Sequence, residues 1–222
     1  MSYLNENKIF NGRDILYNKE KFDNGEINLC FITGLSGSGK STLANSMEKE
    51  GVIEKYELDD LLANYNFSDD NLKEYGDLIY GYFKGQGSKF RMDKDPINGN
   101  EVDDWYTDKF ESDMIKGFVK YAMQYAKSHK NKKIVIEGVE LYWFFEPEEL
   151  KDYAVYIKNT SSLVSQIRSA KRDSSDASGI KRIGSFLKNT LRLSRISAYN
   201  KTETIINKWV KYYQRLEENN SK

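Results

Sequence analysis

Cysteine occurs once in the 222 residues, at Cys30, so no disulfide can close within the chain. That suits a reducing compartment. Histidine also occurs once. His129 lies in the polar stretch Ser128-His129-Lys130-Asn131 and is expected to be solvated rather than catalytic. One cysteine and one histidine cannot supply the usual ligand set of a zinc site. There is no run of 18 apolar residues and no signal-peptide pattern, so the expectation is a cytoplasmic protein without membrane contact. Charge of one sign is lacking too: 34 Lys and Arg balance 34 Asp and Glu, leaving no global field that would draw a polyanion or a lipid surface.

The balance is nonetheless uneven along the chain. Residues 48–150 hold 23 acidic and 14 basic side chains, whereas residues 157–222 hold 5 acidic and 14 basic. A basic final third either handles phosphates, possible nucleic acid included, or attracts the acidic middle. An apolar fraction of 39% over this length is enough for one α/β domain with an excursion.

What the chain does have is a glycine-rich turn in a telling context. Gly34-Leu35-Ser36-Gly37-Ser38-Gly39-Lys40-Ser41 matches G-x-x-x-x-G-K-[ST] in full, and Thr42 follows. Before it, Ile27 to Thr33 is a nearly continuous apolar run, as expected of a parallel strand covered on both faces. A helix-forming segment from Ser41 to about residue 50 comes directly after. Glycines permit a tight loop with inward N–H groups, and the helix adds the positive end of its dipole. Gly34, Ser36, Gly37, Ser38, Gly39, Lys40, Ser41 and Thr42 are therefore expected to hold a nucleotide triphosphate. Lys40 reaches the outer phosphates and the Ser41 hydroxyl binds Mg²⁺.

Further strands are expected at 52–58, 133–138 and 153–157, and a hairpin through Asp23-Asn24-Gly25 is expected to join a short N-terminal strand to the first core strand. Ligands in open α/β sheets bind beyond the carboxyl ends of strands, where Asp59, Asp60 and Glu137 stand. One aspartate of the pair can cap a helix while the other faces the phosphates. Residues 72–80 have helical spacing, 84–89 read as a loop, and a long helix runs to about residue 127 with Phe110, Met114, Phe118, Tyr121, Ala122 and Tyr125 on its core side. In the last third, Arg168 and Arg172 stand four apart on one helix, Gly179 marks a hinge, one helix follows through about Arg195, and another spans about 203–217. The two arginines are either a solvated face or a lid over phosphates.

Four landmarks together resemble a P-loop kinase of the uridine kinase and phosphoribulokinase group. They are the Gly34–Thr42 loop, Leu58-Asp59-Asp60-Leu61, Ile136-Glu137-Gly138-Val139, and Arg168-Ser169-Ala170-Lys171-Arg172-Asp173. The loop is also similar to that of adenylylsulfate kinases, and Leu61-Leu62 stands where the first group carries an aromatic pair. The resemblance implies a three-layer α/β P-loop NTPase of the nucleoside-monophosphate-kinase type, with a mainly parallel sheet and a helical lid. It implies a cap at 1–26 and a core at 27–222, with an acceptor-side insertion at about 61–125 and basic lid and C-terminal helices at about 162–222. It implies ATP and Mg²⁺ as cofactors. Asp59 would act as base on an acceptor hydroxyl, Glu137 would support the metal with Ser41 and Asp59, and Arg168 and Arg172 would close over the phosphates. The acceptor is expected to be a nucleoside, nucleotide or related metabolite. A hydroxyl carried by DNA or RNA, or a switch protein without an acceptor, are the alternatives.

Overall fold

The computed structural model describes residues 14–48, 53–63, 75–86, 108–160, 162–173 and 193–220; at 62–63, 108–110, 162–163, 172–173, 193–200 and 220 it describes the backbone alone. Five strands form one sheet: β1 (Ile15–Tyr17), β2 (Leu29–Gly34), β3 (Ile53–Glu57), β4 (Lys133–Glu137) and β5 (Ala154–Lys158), in the order β1-β5-β2-β4-β3. The pairs β5-β2, β2-β4 and β4-β3 are parallel, and β1 is antiparallel to β5. The helices are α1 (Lys19–Asp23), α2 (Lys40–Glu48), α3 (Leu58–Ala63), α4 (Asp77–Gln86), α5 (Asp108–Ser128), α6 (Glu140–Phe144), α7 (Ser162–Asp173) and α8 (Leu193–Asn220), with a 3₁₀ turn at Pro147–Leu150.

Strand alternation divides the core into two layers. On one side Leu29, Phe31, Ile134, Ile136, Val155 and Ile157 pack with Met114 and Phe118 of α5 and Trp209 and Tyr213 of α8. On the other, Cys30, Ile32, Val135, Ala154 and Tyr156 pack with Phe22 of α1 and Leu43, Ala44 and Met47 of α2. Both faces of β2, β4 and β5 are thus covered, which is why their sequences read as unbroken apolar runs. The three-layer α/β expectation holds. Of the expected core side of α5, Met114, Phe118 and Ala122 are fully buried, Tyr121 and Tyr125 pack half-buried against the core, and the Phe110 side chain lies outside the described part. Phe118 meets the Tyr82 ring edge-on at 5.6 Å. Cys30 is buried as a small core residue. His129 stacks on Tyr125 at 3.8 Å, and its Nδ1 lies 2.9 Å from the Tyr125 carbonyl.

Three sequence expectations are corrected. β1 does not form a hairpin with β2, because both edges of β2 are taken by β4 and β5; it pairs with β5 instead, Ile15 opposite Ile157 and Tyr17 opposite Val155. Residues 84–86 continue α4 rather than opening a loop, since buried Leu78, Ile79, Tyr82 and Phe83 hold the helix on the core. No break separates helices between Arg195 and Glu203: α8 is continuous, and its sequence contains neither Gly nor Pro to stop it. Gly179 and the residues around it lie outside the described part, as do 64–74 and 87–107 of the expected insertion. No described helix is long and apolar enough to cross a membrane.

Candidate nucleotide-binding site

The loop between β2 and α2 is closed by a hydrogen bond from the Ser38 N–H to the Leu35 carbonyl at 3.0 Å. Gly37 sits at φ 79°, a backbone region that suits glycine, and a Cβ there would lie 2.6 Å from the Ser165 carbonyl and 3.1 Å from the Ser169 nitrogen. The loop therefore leans on the backbone of α7, whose Ser165 and Ser169 are buried. At the other side, the Thr160 hydroxyl donates to the Ser38 carbonyl at 3.4 Å, and Lys158 forms a buried ion pair with Asp14. The Asp14 carboxylate also accepts the Asn159 N–H at 2.9 Å, so the N-terminal approach to β1 braces the end of β5 beside the loop.

Beyond the carboxyl ends of the strands opens a cleft of about 580 Å³. Ser36, Gly37 and Gly39 of the loop and Lys40, Ser41 and Thr42 of α2 line it, together with Glu57, Asp59, Glu137, Gly138, Val139 and Arg168. The first-turn N–H groups of α2 lack intrahelical acceptors, and the head of that helix carries partial positive charge. Lys40 Nζ donates to the Leu35 carbonyl at 3.3 Å, within the loop's own curve.

The floor of the cleft is acidic. The Ser41 hydroxyl donates to Glu137 Oε2 at 3.1 Å, and Glu137 Oε1 is buried without a partner. Glu137 pairs in strand register with Glu57. Burial first, and the Glu57 carboxylate second, push Glu137 up to about 7. Glu140, at the head of α6, is also buried; burial and the neighbouring Asp59 carboxylate raise it to about 9. A hydroxyl beside an unpartnered buried carboxylate oxygen is a donor set that suits a hard divalent cation. Among the described residues there is no cluster of three or more carboxylate, imidazole or thiol ligands, so such an ion would keep several waters or phosphate oxygens.

The sequence-derived residues separate as follows. Ser36, Gly37, Gly39, Lys40, Ser41, Thr42, Asp59, Glu137 and Arg168 are brought together around the cleft. Gly34 and Ser38 form the back of the loop, Ser38 being buried. Asp59 rather than Asp60 lines the cleft; both stand in the first turn of α3. The Arg172 side chain is outside the described part. Glu140 was missed, and Glu57, though it stands at the acidic strand end that faces the phosphate site, was given no role of its own. Their signals were present: Glu57 closes a strand two residues before Asp59, and Glu140 is the lone charge in the apolar stretch Val139–Phe145.

A glycine loop between a buried parallel strand and a helix, opening on an acidic floor, defines a P-loop nucleotide-binding domain. A family model described as an AAA domain matches residues 30–183, more than half of the sequence, and the chain belongs to that family of P-loop NTPase-type domains. No curated protein and no solved structure matches the chain.

Proposed function

We propose that the protein is a cytoplasmic phosphotransferase that moves the γ-phosphate of ATP to a hydroxyl of a small acceptor, a nucleoside, nucleotide or related metabolite. The observation that carries this reading is Asp59. It lines the same cleft as Lys40 and Ser41 and is separate from Glu137, the carboxylate bonded to Ser41. Transfer to an alcohol calls for a base on the acceptor side, and Asp59 supplies a carboxylate in the cleft that is not the one bonded to Ser41.

In this reading the loop amides and Lys40 hold the triphosphate. Ser41 and Glu137 would hold Mg²⁺, which neutralises charge developing on the transferring group. Asp59 orients the acceptor hydroxyl and accepts its proton as the oxygen attacks phosphorus. Arg168 of α7, which lines the cleft, would supply a guanidinium to the phosphate oxygens, and Arg172 follows four residues on in the sequence. The resemblance to the uridine kinase and phosphoribulokinase group supports the same assignment. A polynucleotide-borne hydroxyl is the second reading. It is favoured by Lys208, Lys211 and Arg215 of α8, which line a separate groove of about 590 Å³.

Labelled ATP, Mg²⁺ and a panel of nucleosides, nucleotides, sugars and oligonucleotides test both readings. Lys40→Ala should abolish transfer. Asp59→Asn should lower kcat by about 10² or more while ATP still binds. An Asp59→Asn protein of normal rate would remove the base from this residue, and ATP turnover with no phosphorylated acceptor would end the transferase reading.

A further inference from the structure

Trp143 is 55% exposed, the most open of the large apolar side chains described. It stands on α6, whose Glu140, Leu141 and Tyr142 are buried, so this short helix shows solvent chiefly one face. That face begins in the cleft. Val139 caps α6 in helical conformation, φ −71° and ψ −27°, and lines the cleft wall. Residues four apart on a helix are about 40° round and about 6 Å along from each other, so Trp143 continues the surface that Val139 starts. Helical side chains lean toward the N-terminus of their helix, which here is the cleft end. The head of α6 also abuts the first turn of α3: a Cβ on Gly138 would lie 2.8 Å from Leu58, and the Glu140 carboxyl feels Asp59. Tyr142 braces the indole from one side in a near-perpendicular contact at 6.2 Å.

We propose that Trp143 is a stacking platform at the mouth of the cleft, and that the acceptor is a base-bearing compound whose planar ring lies on the indole while its hydroxyl reaches Asp59. This rests on the phosphotransferase reading. The exposed face of α6 offers Val139 and Trp143, with the indole N–H as its one polar side-chain group, which suits a flat heteroaromatic ring better than a bare sugar with many hydroxyls to satisfy. No aromatic side chain is available at 61 and 62, where both residues are Leu and Leu61 is buried.

The test has a binding arm and a kinetic arm. With a non-hydrolysable ATP analogue bound, tryptophan fluorescence is titrated with nucleosides, nucleoside monophosphates, single-stranded oligonucleotides, and glucose and glycerol as ring-free controls. Base-bearing compounds should quench the wild type and lose that quenching in Trp143→Phe, which keeps a ring to stack on. Quenching by free nucleosides or nucleotides assigns the base to a small molecule, and quenching by oligonucleotides alone assigns it to a polymer. In Trp143→Ala the acceptor KM should rise by about 5- to 150-fold, the range expected for one base–aromatic stack, with the ATP KM unchanged. Equal quenching in Trp143→Phe, no quenching by any base-bearing compound, a wild-type acceptor KM in Trp143→Ala, or glucose or glycerol as the preferred acceptor would each overturn the proposal. Transfer indifferent to Trp143 removes the platform and leaves the phosphotransferase standing. Quenching that depends on Trp143 without any transfer does the reverse.

Discussion

Replacing Gly37 by alanine tests the packing of the loop against α7. Two costs add. At φ 79° an L side chain is in the left-handed region, worth about 1–2 kcal/mol. The new Cβ would also meet the Ser165 carbonyl at 2.6 Å and the Ser169 nitrogen at 3.1 Å. These are main-chain atoms of a helix, so nothing flexible can swing aside, and the loop or the helix must shift. Overpacking of this kind costs about 1–3 kcal/mol. The sum, about 2–5 kcal/mol, should lower Tm by roughly 4–20 °C for a chain of this length. Gly39→Ala is the control. It too has positive φ, 100°, but no atom lies within 4 Å of its Cβ, so it should bear the backbone cost alone. Thermal melts of the two variants without nucleotide discriminate the terms. A Gly37→Ala protein that melts with the wild type, or no lower than Gly39→Ala, would refute the contact with α7.

Further outcomes concern the titrating and helical groups. Glu137 and Glu140 bind their protons more tightly folded than unfolded, so the stability they confer is full below about 4.5 and is lost as pH rises through about 7 and about 9. Tm of the nucleotide-free protein should therefore fall between pH 5 and 9, and Glu137→Gln should flatten the part near 7; an unchanged slope in Glu137→Gln would reassign it. Binding of Mg²⁺ and ATP, which wants Glu137 ionised, should strengthen over the same interval, as calorimetry at stepped pH would read. Gly85, inside α4, has open space where a Cβ would go, so Gly85→Ala should stabilise by about 0.5–1 kcal/mol in denaturant melts.

Much of this architecture was legible because its local signals agree. The loop pattern, the apolar run before it and the helix after it all specify one strand–loop–helix unit, and the coordinates reproduce it from Leu29 to Glu48. Asp59 and Glu137 were found by their place at strand ends, a rule that depends on sheet direction and not on distant neighbours. What escaped depends on contacts far apart in sequence. Nothing local tells that Ile15–Tyr17 will choose β5, 140 positions on, over the nearby β2; the preference arises because β2 has no free edge. Glu140 drew no role from its sequence neighbours, and its burial against Asp59 comes from the meeting of α6 with α3. Gly85 reads as a loop residue by composition, yet burial of Tyr82 and Phe83 overrides that weak preference.

The short antiparallel strand at the sheet margin bears on how the molecule can be divided. Residues 30–183 bound the family match, but a fragment cut there would discard both β1 and α8, and with them the contact of the Tyr17 ring with Tyr213 at 4.8 Å and the Trp209 and Tyr213 side of the core. The outer row of β5 amides and carbonyls would be uncapped, a template on which a second copy can add its own strand. Such a piece would keep every phosphate-contacting group and still be prone to aggregate, so the minimal soluble unit is wider than the minimal chemical one.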